Sequence, residues 1–305
     1  MIEVVRPGVL DLVMDLGRPG FRAQGVPEGG AADAAALVLA NRLVGNADQA
    51  AGLELLLRGP ALRFPHGARL ALAGAPMPAR VDGQEVGVGR LIDVEPGGEL
   101  ELGVAETGLR TYLAVAGGIA VPPLMGSCST FLPGGFGGWQ GRALKAGDVL
   151  PLGKAAAAPR AGCVPARPPQ TEIRVLAGPQ LGGFVDAAIK SLVTAEFVVS
   201  ADANRLGLRL HGPALEYAGT ELASQAVLPG AIQVPPDGQA IILGWDGPVT
   251  GGYPVMGGVI AADLPLLAQA RPGERLRFRF VTPETARLAW AEQHTYLNEA
   301  IVWQD

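Results

Sequence analysis

The chain has 305 residues, 49% of them hydrophobic and 17% charged, with a net charge of −5. That balance excludes a disordered chain, which lacks the apolar material for a core, and the acidic charge excludes nucleic acid as the main partner, because neutralising phosphates needs a basic face. The two cysteines form no disulfide framework or metal spacing, no apolar run reaches the roughly 18 residues that span a membrane, and the first residues show no signal-peptide pattern, so a cytoplasmic protein is expected.

In chain order, 44 glycines and 26 prolines punctuate short apolar runs, the pattern of many strands between turns. A helix is expected at 32–44, with Leu37, Asn41 and Val44 in register and Gly45 as its stop. Strands follow at 69–73, 100–104 and 110–115. The alanine- and proline-rich stretch from Lys154 to Pro169 is expected to be a linker, because proline removes the backbone donors that strands and helices need. It places a boundary near residue 165 and divides the chain into 1–165 and 166–305. The second half is expected to hold strands at 172–176, 196–199, 240–243 and 275–281 and a helix at 184–193. Thr282-Pro283-Glu284 then opens a last helix with a cap, a first-turn proline and an acid favoured by the helix dipole.

The two halves echo each other. Arg58-Gly59-Pro60-Ala61-Leu62-Arg63-Phe64 recurs as His211-Gly212-Pro213-Ala214-Leu215-Glu216-Tyr217. Asp82-Gly83-Gln84 recurs as Asp237-Gly238-Gln239, and Pro96-Gly97-Gly98-Glu99-Leu100 resembles Pro272-Gly273-Glu274-Arg275-Leu276. Few helices among many short strands, duplicated, point to two small barrels and not to a parallel α/β sheet.

No phosphate-binding P-loop, no Gly-x-Ser-x-Gly elbow and no zinc-spaced histidine pair occurs, and His66, His211 and His294 are scattered. Three segments could carry chemistry. The first runs from Asp15 through Arg18 to Asp33. Here Arg18 either binds a ligand carboxylate or pairs with Asp15 or Asp33 in a solvated turn, and the helix that follows offers its N-terminus to an anion. The second joins Ser127, Cys128, Ser129 and Thr130 to a glycine run ending at Arg142, either a loop that wraps a polar ligand or a mobile one. Cys128 has no neighbouring histidine to activate it. The third, Asp246 through Thr250, Gly251, Gly252 and Tyr253, follows an apolar strand, as binding loops and hairpin turns both do.

At these segments the sequence resembles the family of 5-oxoprolinase C subunits, also described as allophanate hydrolase subunit 2 or KipA-like proteins. The resemblance rests on Asp15-Leu16-Gly17-Arg18-Pro19-Gly20, Asn41-Arg42-Leu43-Val44-Gly45-Asn46, the stretch from Arg110 to Gly118, Met125-Gly126-Ser127-Cys128-Ser129-Thr130, Pro229-Gly230-Ala231-Ile232-Gln233-Val234-Pro235 and Thr250-Gly251-Gly252-Tyr253-Pro254. It implies a mainly β fold of two cyclophilin-like β-barrel subdomains related by internal duplication, with a few short helices. It also implies an ATP-dependent enzyme that opens 5-oxoproline to L-glutamate together with A and B subunits. Two departures stand out: Gln225-Ala226 after Ser224, where the family has Glu-Pro, and Pro248-Val249, where it has Gln-Thr. If the replaced residues touch substrate, this member prefers another lactam or amide, or has lost activity.

In such a reaction Arg18 or Arg142 would hold the substrate carboxylate, glycine-rich backbone would stabilise the oxyanion, and Asp246 would be the base, with Thr250 beside it. Asp15, Asp33, Ser127, Gly251, Gly252 and Tyr253 complete the expected substrate contacts, with no metal ligand among them. A cleft between the halves would bring the set together. Two other readings stay open: a carboxyltransferase acting on urea-type compounds, served by a separate biotinylated carrier because no Met-Lys-Met attachment site exists here, and a KipA-like regulatory binding protein without turnover.

Overall fold

A computed structural model describes residues 1–156, 162–164, 170 and 172–303. It divides into two compact units, one of Met1–Arg18, Gly29–Arg167 and Tyr296–Asp305, the other of Pro19–Glu28 and Pro168–Thr295. Most of the expected linker, and the expected boundary near 165, lie outside the described residues. The fold is mainly β, with helices α1 (Ala34–Leu43), α2 (Asp186–Thr194), α3 (Leu264–Gln269) and α4 (Pro283–Glu299).

In the first unit two sheets enclose one core. A six-stranded sheet runs in the spatial order Val149–Leu150, Ile2–Arg6, Ala61–Arg63, Glu99–Leu102, Ala79–Val81, Gln84–Val86. A five-stranded sheet runs Asp11–Met14, Gly52–Leu56, Arg110–Val115, Ala68–Gly74, Leu91–Val94. Strand side chains alternate between faces, so Leu53, Leu55, Leu70, Leu72, Leu113 and Val115 meet Leu62, Phe64, Leu100 and Leu102 in the core. The opposite face of the five-stranded sheet, with Leu12, Met14, Ala71, Ala73, Tyr112 and Ala114, packs on Leu37, Ala40 and Leu43 of α1. That sheet is buried on both faces, and every residue of the strand Arg110–Val115 is buried.

The second unit contains a closed seven-stranded barrel: Glu172–Ala177, Val255–Val259, Ala231–Gln233, Ile241–Leu243, Gly207–His211, Phe197–Val199 and Arg275–Phe280. Its one parallel pairing, Glu172–Ala177 with Arg275–Phe280, closes the ring, while its other pairings are antiparallel. Closure removes the exposed edge that an open sheet would present. A two-residue ribbon, Gln225–Ala226 with Thr250–Gly251, stands apart from the barrel.

The sequence echoes occupy comparable turns. Gly83 and Gly238, at φ 80° and 76°, each turn a hairpin, and Gly97 and Gly273, at 85° and 87°, each lead into a strand. The first echo diverges. Ala61–Arg63 is a strand of the six-stranded sheet, whereas Ala214 to Tyr217 is irregular, with a single bridge from Tyr217 to Phe184 among the described residues. Each expected helix and strand is present to within two residues at its ends. Helix α3 was not foreseen, because six residues with a proline near the start are too few to show a 3.6-residue period. Among the described residues no helix is long and apolar enough to cross a membrane.

Candidate functional site

The first two polar segments meet in the first unit, around Asp15. Its carboxylate is 7% exposed and accepts four hydrogen bonds. Oδ1 takes the hydroxyls of Ser127 and Ser129 at 2.6 and 2.5 Å and the amide of Gly17 at 2.8 Å, and Oδ2 takes the amide of Cys128 at 2.5 Å. Both hydroxyls also work as acceptors, Ser127 from the Ser129 amide and Ser129 from the Asp15 amide. Asp15 is therefore the organiser of the Ser127–Cys128–Ser129 loop, with its acceptor capacity directed at its own chain.

Arg18 is buried completely. Its guanidinium donates to the Ser129 carbonyl and lies over the Phe136 ring, 5.2 Å from the centroid. Glycine is required beside it: a Cβ on Gly137 would fall 2.2 Å from the Ser129 carbonyl oxygen, and one on Gly138 would fall 1.8 Å from Thr130 Oγ1. The glycine run is thus packed against Arg18 and Thr130, and Arg18 is buried there and not set in a solvated turn. Around it Leu16, Leu124 and Met125 are exposed, and Met125 sits at φ 53° in the tight turn from Leu124 to Ser127.

The N-terminus of α1 does not await an outside anion. Asp33 caps it, accepting from the Ala36 amide at 3.0 Å. Glu54, on the sheet beneath, accepts from the Ala32 amide at 2.8 Å and from the Tyr112 hydroxyl at 2.7 Å, while the Tyr112 oxygen accepts from the Asp33 amide. Arg110 lies 3.4 Å from Glu54, and all four side chains are nearly fully buried. Burial pushes the Tyr112 hydroxyl well above its usual pKa, so it stays protonated and donating. The dipole of α1 is answered from within the chain. This corrects the expectation of an anion site there. The two ends of the first segment are tied together by the Ala31 amide, which donates to the Asp15 carbonyl.

Arg142 stands apart from this cluster. It makes a two-pronged pair with Asp148, at 2.7 and 2.8 Å, and also donates to Gln140. Arg142 holds the Asp148 carboxyl down at about 2. The Cys128 thiol donates to the Val121 carbonyl, and burial together with the neighbouring Asp15 raises its pKa, the reverse of nucleophile activation.

In the second unit Asp246 is 3% exposed and paired with Arg205, whose Nε and Nη2 donate to its two oxygens at 2.6 and 3.1 Å. The Asp246 amide donates back to the Arg205 carbonyl, and a Cβ on Gly244 would fall 2.2 Å from that same carbonyl oxygen. The turn from Gly244 to Gly247 is locked onto Arg205, and the carboxylate faces a cation. Thr250, Gly252 and Tyr253 are exposed at the end of the ribbon, and a Cβ on Gly251 would fall 2.6 Å from Nε2 of the buried Gln233. Arg22, from the first polar segment, belongs to this unit and donates to the Val227 carbonyl.

Sequence reasoning missed Glu54, Tyr112, Phe136 and Arg205. Only Glu54 carried a signal, as a lone charge within an alternating apolar strand. Among the described residues no three His, Cys, Asp or Glu side chains are grouped to hold a metal ion.

The model of the carboxyltransferase domain, subdomain A and B, matches residues 24–280. The chain is 40% identical to the C subunit of 5-oxoprolinase from Escherichia coli over 100% of its own length and 98% of that protein, and 33% identical to the C subunit of 5-oxoprolinase from Haemophilus influenzae over 98% and 97%. The crystal structure of the K. lactis urea amidolyase superposes with a TM-score of 0.92 at 29% identity, covering all of this chain but 21% of that much longer one. The chain belongs to the carboxyltransferase subdomain A and B family, within which it groups with the C subunits of 5-oxoprolinases.

Proposed function

We propose that this chain is the C subunit of an ATP-dependent 5-oxoprolinase, opening 5-oxoproline to L-glutamate with A-like and B-like subunits and inactive without them. The observation that carries the reading is the end-to-end match to the C subunit of the Escherichia coli 5-oxoprolinase. A cytoplasmic location fits its two free cysteines, Cys128 and Cys163.

ATP would supply a phosphoryl group that turns the lactam oxygen into a leaving group. Two candidate cradles among the described residues do not fit it: the N-terminus of α1 is filled by Asp33 and Glu54, and the glycine run is packed on Ser129 and Thr130. We therefore assign ATP to a partner subunit. Of the two expected arginines, both in the first unit, Arg142 is partly exposed and aimed by Asp148, whereas Arg18 is buried. Arg18, Asp15 and Ser127 hold the Ser127–Ser129 loop, and Asp33 holds α1. Thr250 and the backbone from Gly251 to Tyr253 supply donors for the developing oxyanion. Asp246 is assigned as the base and must exchange Arg205 for the water it activates.

The test is reconstitution with A and B subunits and measurement of 5-oxoproline-dependent ADP release. Turnover requires this chain. Asp246→Asn keeps an acceptor for Arg205 and removes the base, so an intact rate ends that assignment, and a wild-type complex without turnover ends the whole reading. The full-chain superposition on the K. lactis urea amidolyase favours a second reading, a carboxyltransferase acting on a urea-type compound. Its signature is dependence on bicarbonate and on a biotinylated carrier protein.

A further inference from the structure

Two glutamines of the second unit, Gln180 and Gln225, face each other beside the Thr250–Tyr253 stretch. Gln225 lies in the ribbon strand directly opposite Gly251, and Gln180 lies in the turn that precedes α2. Their carboxamides pair head to tail: Gln180 Nε2 donates to Gln225 Oε1 at 3.2 Å, and Gln225 Nε2 donates to Gln180 Oε1 at 3.1 Å. The direction is not arbitrary. The backbone amide of Val255 meets the Gln180 side chain at 3.0 Å and can only donate, so the atom it meets is the oxygen. That fixes the orientation of Gln180 and, through it, of Gln225. The buried Gln233 directs Nε2 at the Tyr253 carbonyl, at 3.5 Å.

Residues 250–255 are thus met by three uncharged side-chain amides: Gln225 stands opposite Gly251, Gln180 accepts from Val255 and Gln233 points at Tyr253. Each member of a reciprocal carboxamide pair must donate and accept at once, which no carboxylate, ammonium or guanidinium does. An ionised glutamate at 225 would set its oxygen against Gln180 Oε1, whereas a protonated one would restore the donor.

We propose that Gln180 and Gln225 are positioning residues that clamp the Thr250–Tyr253 stretch in its substrate-binding conformation. The proposal rests on the reading of that stretch as a substrate contact. The clamp acts through geometry and touches no reacting atom.

The experiment measures hydrogen exchange of residues 250–255 in the purified full chain, for wild type, Gln225→Met and Gln225→Glu, across pH 4 to 8 with intrinsic rates corrected. Removing two hydrogen bonds, the Met variant should exchange about tenfold faster in this stretch alone. The Glu variant should match it at pH 8 and move towards wild type as pH falls to about 4, where a carboxyl regains its proton, a pH response the wild type lacks. In the reconstituted complex the Met variant should lower kcat/KM for 5-oxoproline about tenfold, mainly through KM. Wild-type protection of 250–255 in the Met variant overturns the proposal. So does exchange raised equally throughout the unit, the mark of a merely structural residue. The exchange arm uses no substrate, so it still judges the clamp if the wild-type complex fails to turn over 5-oxoproline.

Discussion

Asp11 begins the strand Asp11–Met14 with its carboxylate 1% exposed. Oδ2 accepts the Gly8 amide at 2.5 Å, while Oδ1 has no hydrogen-bond partner among the described residues. Burial lifts its pKa from 3.8 to about 6, against the smaller opposing pulls of the Gly8 bond, Arg6 and Arg58. A carboxyl whose folded pKa is raised favours the folded state when protonated. That stability is present below about pH 4 and lost as pH rises through about 6, because the unfolded chain ionises first. The loss implied by this shift is about 3 kcal/mol. Asp11→Asn keeps an acceptor for Gly8 and carries no charge at any pH. The variant should therefore be more stable than wild type by up to about 3 kcal/mol at pH 8, with the gap closing between pH 6 and pH 4. Urea denaturation of both proteins at pH 4, 5, 6 and 8 measures it. A gap independent of pH, or a variant less stable at pH 8, would refute the reasoning.

The same logic with opposite sign applies to Asp148, whose carboxyl is held at about 2 by Arg142. Asp148→Asn should lower the melting temperature at pH 7, with the difference shrinking as pH falls from 4 towards 2, as scanning calorimetry would record. Tyr112→Phe strips a donor from buried Glu54 and an acceptor from the Asp33 amide, and should cost about 1–3 kcal/mol in denaturant titrations. Gly138→Ala would drive a methyl into Thr130, whereas Gly135→Ala, at a similar positive φ, meets nothing within 4 Å. Gly135→Ala should cost about 1 kcal/mol of backbone strain and Gly138→Ala distinctly more, compared by thermal melting.

Local pattern was enough for much of the architecture. The local sequence pattern located the strand Arg110–Val115 to the residue, and Thr282 caps α4 as its sequence suggested, its hydroxyl accepting the Thr285 amide. The duplicated turns were visible because each needs glycine at positive φ, a requirement that leaves a mark in one dimension. The strand Ala61–Arg63 and its irregular counterpart from Ala214 to Tyr217 show where that ends. Nearly the same phrase folds differently because its neighbours differ: the first lies between two partner strands, and the second has a single bridge.

The candidate site follows the same division. Its residue types and loops were legible: Asp15, Arg18, Ser127 and the glycine run were all singled out, and in the structure they do converge. Their partners were not legible. Ser129 reaches Asp15 across 114 positions, Tyr112 reaches Glu54 across 58 and Asp246 takes Arg205 from 41 away. Sequence by itself determined where the chain turns, which faces are apolar and which family's motifs it carries, because those depend on neighbours within a few residues. Only the tertiary structure decided which polar groups are already taken by the chain itself. A buried charge needs a partner, and that partner is supplied by whatever strand the fold lays beside it.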